Sequence, residues 1–442
     1  MAPMIHRCGF VLTVLLLSVG FSLAGCALFL PGAGDEPIQA EVVHSEKERV
    51  TSPDVDQAEL DELVAGNSAF AFDLFQAVRE RDTNLFYSPY SISLALAMTY
   101  AGARGVTEEQ VGDTLHFTLA QERLHPAFNA LDLELASRGE LPEGWEGEGF
   151  RLNIANSLWG QTGYSFLPDF LDVLAEDYGA GLRLLNFMNA PEESRIVING
   201  WVSNQTEGKI EDLLGPGAIT PYTRLVLANA IYFNAAWLFP FGEEATHDGP
   251  FYLLDGGQVT VPMMEQKADF RFTEDERYQA IELPYSSKGL SMLVLLPKAG
   301  SFEKFELTLD TALIDSISAG LGLKYVHLTM PKFRIESTFS LGETLAGMGM
   351  SDAFQLGVAD FSGMDGTQNL FIGAIVHKAL VSVDEAGTEA AAATAVAVVP
   401  GLLPPPPTPV EVTINRPFIF MIRDIETGAI LFVGRVLNPS ES

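Results

Sequence analysis

The chain has 442 residues, 47% of them hydrophobic, and carries a formal net charge of −32. So acidic a surface repels nucleic acid and anionic lipid headgroups, which argues against a role on DNA, RNA or polyanions. Its two cysteines are Cys8 and Cys26, too few and too close to the N-terminus to give the body a disulfide or a thiolate metal site, so the body must hold together by packing.

Residues 1–25 read as an export signal. His6 and Arg7 precede the apolar run GFVLTVLLLSVGFSLAGC, which is too short and too poorly flanked for a membrane span. The run ends in Leu23-Ala24-Gly25-Cys26. That ending resembles a bacterial lipobox, and the resemblance implies cleavage before Cys26 and lipidation of its thiol. An acylated cysteine would anchor the protein durably. The expected location is therefore the bacterial cell envelope, facing the extracellular space or the periplasm. The alternative is an ordinary signal peptide cut nearby. Residues 26–58 are rich in proline, glycine and acidic side chains and lack apolar periodicity. Such a composition buries too little to offset its ordering entropy, so a disordered tether is expected.

From Glu59 to about residue 440 the chain looks globular. Phe70, Leu74, Phe75 and Val78 share one helical face. Ser88-Pro89 reads as a helix N-cap with proline at the first helical position, and that helix stops near Gly102. RLNIANSLW, TRLVLANAIYF, SMLVLLP and VHLTMPKF read as strands, several apolar on both faces and therefore central. VEVTI, FIFMIRD and AILFVGRV follow as strands near the C-terminus, the last two joined by a turn at IETG. Helices dominate the front and strands the back, which points to an α+β fold.

Enzyme signatures are absent. The chain has no nucleophile elbow, HExxH, P-loop or strand-linked GxGxxG. No metal or cofactor is expected. His377, alone in the apolar FIGAIVHKALVSV, is expected to be a hydrogen-bonded core residue rather than a catalytic base.

One stretch stands apart. Between Glu385 and Pro407 the chain runs EAGTEAAAATAVAVVPGLLPPPP. Read with a period of two, Thr388, Ala390, Ala392, Thr394, Val396 and Val398 line one uncharged, small or β-branched face. Such a ribbon could slide between neighbouring strands at little steric or desolvation cost. Alanine is nevertheless a poor strand former, so nothing local commits the segment to a strand. Gly387 offers a hinge, and Pro404–Pro407 favour a stiff polyproline arm.

Taken together, NLFYSPYSISLALAMTYAGARGVTEEQV, INGWVSNQTEGKIEDLL, LVLANAIYFNAAWLFPF, ELPYSSKGLSMLVLLPK, LTMPKFRIE, DFSGM, VHKALVSVDEAGTEAAAAT and INRPFIFMIRDIETGAILFVGRVLNP resemble, in order, the serpin family of serine protease inhibitors. The resemblance implies an α+β fold of three sheets and eight to nine helices with an exposed reactive loop, about 385–410. It implies irreversible suicide inhibition. A serine protease cleaves the loop, is held as an acyl-enzyme, and the freed arm enters the main sheet.

By that resemblance Glu385, Gly387, Thr388, Ala390 and Ala392 form the hinge. Ser88, Ser91, Asn229 and His377 form a shutter, and Trp237 and Lys332 belong to the breach where insertion starts. Lys332 is expected to pair with Glu385. The family's usual spacing places the reactive bond at Gly401–Leu402, with Leu402–Leu403 the alternative. The apolar VAVVPGLL around it suits an elastase-, subtilisin- or chymotrypsin-like target, or a papain-like cysteine protease. The acidic ELPEGWEGEGF argues against heparin as a partner. The protein is expected to act as a monomer. The competing reading is a non-inhibitory member serving as a surface binding module.

Overall fold

The computed structural model describes residues 38–79, 83–139, 151–287, 289–388 and 408–441, with the side chains of 151–153 left aside. The signal, Cys26, Ala390, Ala392 and the candidate reactive bonds among Gly401, Leu402 and Leu403 lie outside the described residues.

The first long helix, Gln57–Val78, begins with a capping box in which the Asp56 side chain accepts from Glu59 N–H and the Glu59 carboxylate reaches back to Asp56 N–H. Pro89–Tyr100 starts as its sequence requires: Ser88 Oγ accepts from Ser91 N–H at 3.1 Å, and Pro89 occupies the first turn. Every residue of this second helix is buried, in keeping with its apolar circumference.

A seven-stranded sheet contains, in spatial order, Glu41–Val43, Leu182–Leu185, Arg151–Gln161, Leu225–Ala236, Gly387–Thr388, Ile372–Val383 and Phe333–Ser340. A second sheet has nine strands. The three sheets implied by the resemblance become two hydrogen-bonded units because the 17-residue strand Gln258–Glu274 belongs to both smaller ones. It pairs with His247–Tyr252 and Gly322–Pro331 along most of its length and with Tyr278–Pro284 only at its end. Ten α-helices are described, one beyond the expected number, and three of them span seven residues or fewer. The core lies between the sheets, where Phe233 meets Phe432 edge-on at 5.5 Å. A second apolar layer, including Trp159, Ile198, Val202 and Val226, fills the space under the helix Pro191–Gln205 on the other face of the seven-stranded sheet.

The tether expected at 26–58 needs correction over its described part. Glu41–Val43 adds to the edge strand Leu182–Leu185 in antiparallel register. Lys47 Nζ then lies 3.1 Å from Asp172 and 3.0 Å from Glu176. Val50 N–H donates to Glu176 O. Arg49 reaches Asp132 at 2.6 Å and donates to the buried Asn129 Oδ1 at 2.9 Å. Composition missed this because the segment brings no core of its own. It borrows an existing strand edge and opposite charges already on the body. Arg49→Ala is expected to lower stability by about 1–2 kcal/mol, since it leaves a buried acceptor unpaired; a denaturant melt checks this.

Candidate functional site

The seven-stranded sheet has a seam. Ile372–Val383 runs parallel to Leu225–Ala236 over eight registered pairs, from Ile372↔Leu225 to Leu380↔Tyr232. Both strands are antiparallel to their outer neighbours. Parallel pairing is the weaker kind per residue, so a ladder that must part does so most readily here.

At the head of the seam the two strands diverge, and Gly387–Thr388 sits between them. It is antiparallel to both, with Thr388 opposite Val383 and Ala235 and Gly387 opposite Ala236. Thr388 is 0% exposed. A Cβ on Gly387 would stand 2.3 Å from the Ala235 carbonyl oxygen, so no other residue fits this close approach. Two of the five residues expected to form the hinge, Gly387 and Thr388, already occupy the position of an inserted strand.

The residues expected at the breach gather around this slot. Trp237 N–H donates to Ala386 O, and its indole Nε1–H donates to Asp384 O, each at 3.0 Å. Lys332 Nζ lies 2.5 Å from Glu385, and Thr246 Oγ1 donates to the same carboxylate at 2.6 Å. Burial alone would raise the Glu385 pKa, but the hydrogen bonds from Lys332 and Thr246 outweigh it and hold the group below its usual value. The chain that follows the expected reactive segment is fastened too. Val410–Thr413 pairs in parallel with Val326–Thr329, and Glu411 lies 2.9 Å from His327.

The four expected shutter residues meet below. Asn156, Asn229 and His377 stand side by side across three strands, because Asn156 pairs with Asn229 and Asn229 with His377. The His377 Nδ1–H donates to Asn229 Oδ1 across the seam, and its Nε2 accepts from Ser88 N–H at 3.1 Å. Asn229 Nδ2 donates to Ser91 O and Ser91 Oγ, each at 2.8 Å, and Ser88 Oγ donates to Leu431 O at 2.7 Å. His377 is therefore a hydrogen-bonded core residue, as its apolar surroundings imply.

Burial pushes the His377 pKa down to about 3, so its imidazole is neutral in the fold. His125, held by the Tyr178 hydroxyl at 2.7 Å, is also pushed down to about 3, mainly by burial. Unfolding would free both to protonate below about pH 6.5. The unfolded state then binds more protons, so stability is lost as pH falls from about 6.5 towards 3, by up to about 1.4 kcal/mol per histidine per unit. Urea melts at pH 7 and pH 5 should show the loss, and His377→Gln should make it shallower. Equal slopes in the two proteins would contradict the assignment.

Three participants went unnoticed in the sequence. Asn156 was hidden in RLNIANSLW: it faces away from Ala155 and Ser157, on the side of the strand that carries the buried Leu158, and no local signal sets it apart. Thr246 lies in an irregular stretch and carries no local signal. Tyr285 stacks on Trp237 with centroids 4.6 Å apart and planes 8° from parallel, and its hydroxyl lies 2.9 Å from Thr388 Oγ1. Its motif, ELPY, gives no hint of a partner 103 residues away.

A family model described as serpin, serine protease inhibitor, matches residues 65–439. The chain belongs to the serpin family. This serpin is 41% identical over 392 residues to mouse leukocyte elastase inhibitor A, with 86% of the chain and all of that protein covered. The human leukocyte elastase inhibitor is 40% identical over 392 residues with the same coverage. An uncharacterised serpin-like protein of Thermococcus kodakarensis is 40% identical, with 86% of each chain covered. Among solved structures, the thermophilic serpin tengpin in its native state matches with a TM-score of 0.78 at 29% identity, covering 91% of this serpin and all of tengpin. Uncleaved ovalbumin matches with a TM-score of 0.75 at 29% identity, covering 86% of this serpin and all of that chain.

Proposed function

We propose that this serpin is an irreversible suicide inhibitor of a serine endopeptidase with an apolar primary pocket. The observation that carries the reading is the placement of Gly387 and Thr388 between the parallel strands of the seam. A strand entering from there replaces one parallel junction with two antiparallel ones. Continuing the same register brings Thr394 level with Asn229 and His377. Its hydroxyl then replaces the partner that each loses when the seam opens, so insertion strands no buried polar group.

The energies are of the right size. An inserted strand of about twelve residues makes on the order of twenty ladder hydrogen bonds and gives up about half that number at the seam, a net gain of about 10 kcal/mol at roughly 1 kcal/mol each. A protease domain is stable by about 5–15 kcal/mol. Insertion can therefore distort an attached protease enough to spoil its oxyanion geometry and stop hydrolysis.

The apolar residues around Gly401–Leu402 and Leu402–Leu403 support an elastase-, subtilisin- or chymotrypsin-like target, and the names of the mammalian relatives favour the elastase side. Incubation with pancreatic elastase should give an SDS-stable complex. Mass spectrometry of the small released C-terminal fragment should place the cut at one of those two bonds. Cleaved product alone at every molar ratio would reject inhibition. The Leu23–Cys26 motif supports export and lipid anchoring through Cys26 at a bacterial envelope; among the described residues no helix is long and apolar enough to cross a membrane.

A further inference from the structure

We propose that Tyr285 is the positioning residue that keeps the inserting strand started in the uncleaved protein. Its hydroxyl holds Thr388 in the slot at the head of the seam, so strand addition continues from a seated residue rather than beginning from a free one. The consequence for trapping rests on the inhibitory reading above; the seating itself does not.

Three observations carry this. Tyr285 and Thr388 are both buried, and their hydroxyls lie 2.9 Å apart. Either hydroxyl alone would be a buried polar group without a partner, so each stabilises the other where it is. Burial also pushes the Tyr285 pKa well up, keeping the phenol neutral and able to donate.

Second, Tyr285 does not belong to the sheet that opens. It follows the strand Tyr278–Pro284 of the nine-stranded sheet. Its turn is pinned to the strand end beside the slot: Leu238 N–H donates to Pro284 O at 2.9 Å, and Ser286 N–H donates to Ala236 O at 2.8 Å. The ring is clamped between Trp237, stacked at 4.6 Å, and Phe233, edge-on at 5.1 Å. The hydroxyl is thus presented from a rigid post.

Third, what it holds is short. Gly387–Thr388 is a two-residue strand, and beyond its ladder bonds the turn is closed by Asp384 N–H to Gly387 O at 2.9 Å. The preceding residues Asp384–Ala386 are held separately, by Trp237, Phe241, Lys332 and Thr246, whereas the Thr388 side chain is held by the Tyr285 hydroxyl. Its loss should raise the unseated population about fivefold, the factor that one net hydrogen bond carries. An unseated hinge starts insertion late, so more of the acyl-enzyme is hydrolysed before the protease is distorted.

The test compares Tyr285→Phe, Thr388→Val, the double variant and Thr388→Ser in the full chain. Hydrogen exchange is followed at the amides of Trp237 and Asp384, which donate to Ala386 O and Gly387 O. Each single variant should exchange about fivefold faster at these sites, the double variant no faster than either single one, and Thr388→Ser as slowly as the parent. Thr388→Val replaces the hydroxyl by a methyl group of similar size, so it keeps the test decisive even if Tyr285→Phe fails to fold. Unchanged exchange in Thr388→Val, or additive effects in the double variant, overturns the proposal. Titration against pancreatic elastase is read separately. The stoichiometry of inhibition should rise in the variants that exchange faster, with no fall in association rate. A parent protein that forms no complex would sink the inhibitory reading, while the exchange result would still decide the seating.

Discussion

Thr388→Arg is expected to turn the inhibitor into a substrate. Thr388 is fully buried between Leu225–Ala236 and Ile372–Val383, against the Tyr285 hydroxyl. The nearby carboxylate, Glu385, is already engaged by Lys332 and Thr246. A guanidinium seated there would be a buried charge without a partner, at a cost of about 3–5 kcal/mol. Leaving the slot avoids that cost, so the variant should fold with its hinge expelled. After cleavage the same charge must enter the slot, so insertion slows while hydrolysis of the acyl-enzyme does not. Gel analysis after incubation with elastase should show cleaved protein in place of the SDS-stable band, and a stoichiometry raised at least tenfold. Ala391→Arg, on the opposite face of the alternation, should change the stoichiometry far less. Equal effects at the two positions would contradict the assignment of faces.

Cutting the reactive segment is expected to raise the melting temperature by about 10 °C or more. Insertion would exchange the eight registered pairs of the present seam for two longer antiparallel ladders. On the order of twenty new hydrogen bonds at roughly 1 kcal/mol each, less about half that number given up with the seam, leave a net gain of about 10 kcal/mol. At about 2.1 cal/mol/K of unfolding entropy per residue, 1 kcal/mol moves the midpoint of a folded body of roughly 400 residues by about 1 °C. Differential scanning of intact and elastase-nicked protein checks this. Coincident transitions would mean that the ribbon does not enter the sheet, and would favour the non-inhibitory binding module.

Much of the fold was legible in the residues because its signals are local. Ser88-Pro89 marks a helix start through a hydrogen bond that spans three residues. LVLANAIYFNAA is apolar on both faces, and its strand is indeed central. The shutter and breach residues came from the family resemblance rather than from pattern, and the structure brings all of them together. The correction at Glu41–Val43 has the opposite cause. Its acidic, proline-bounded context says nothing of the open strand edge at Leu182–Leu185, 139 positions or more along the chain.

The residues alone carry the small, uncharged face that begins at Thr388, the absence of catalytic signatures and the apolar run around Gly401–Leu402. These are properties of composition and of a two-residue period, which any stretch of chain displays without its neighbours. Only the tertiary structure decides that Gly387 and Thr388 sit at the head of a parallel seam, that His377 and Asn229 bond across it, and that Tyr285 from the other sheet meets Thr388. Those facts depend on which distant strands lie side by side. Pairing between residues more than a hundred positions apart leaves no periodic trace in either partner, because each side chain is selected by a neighbour that folding alone supplies.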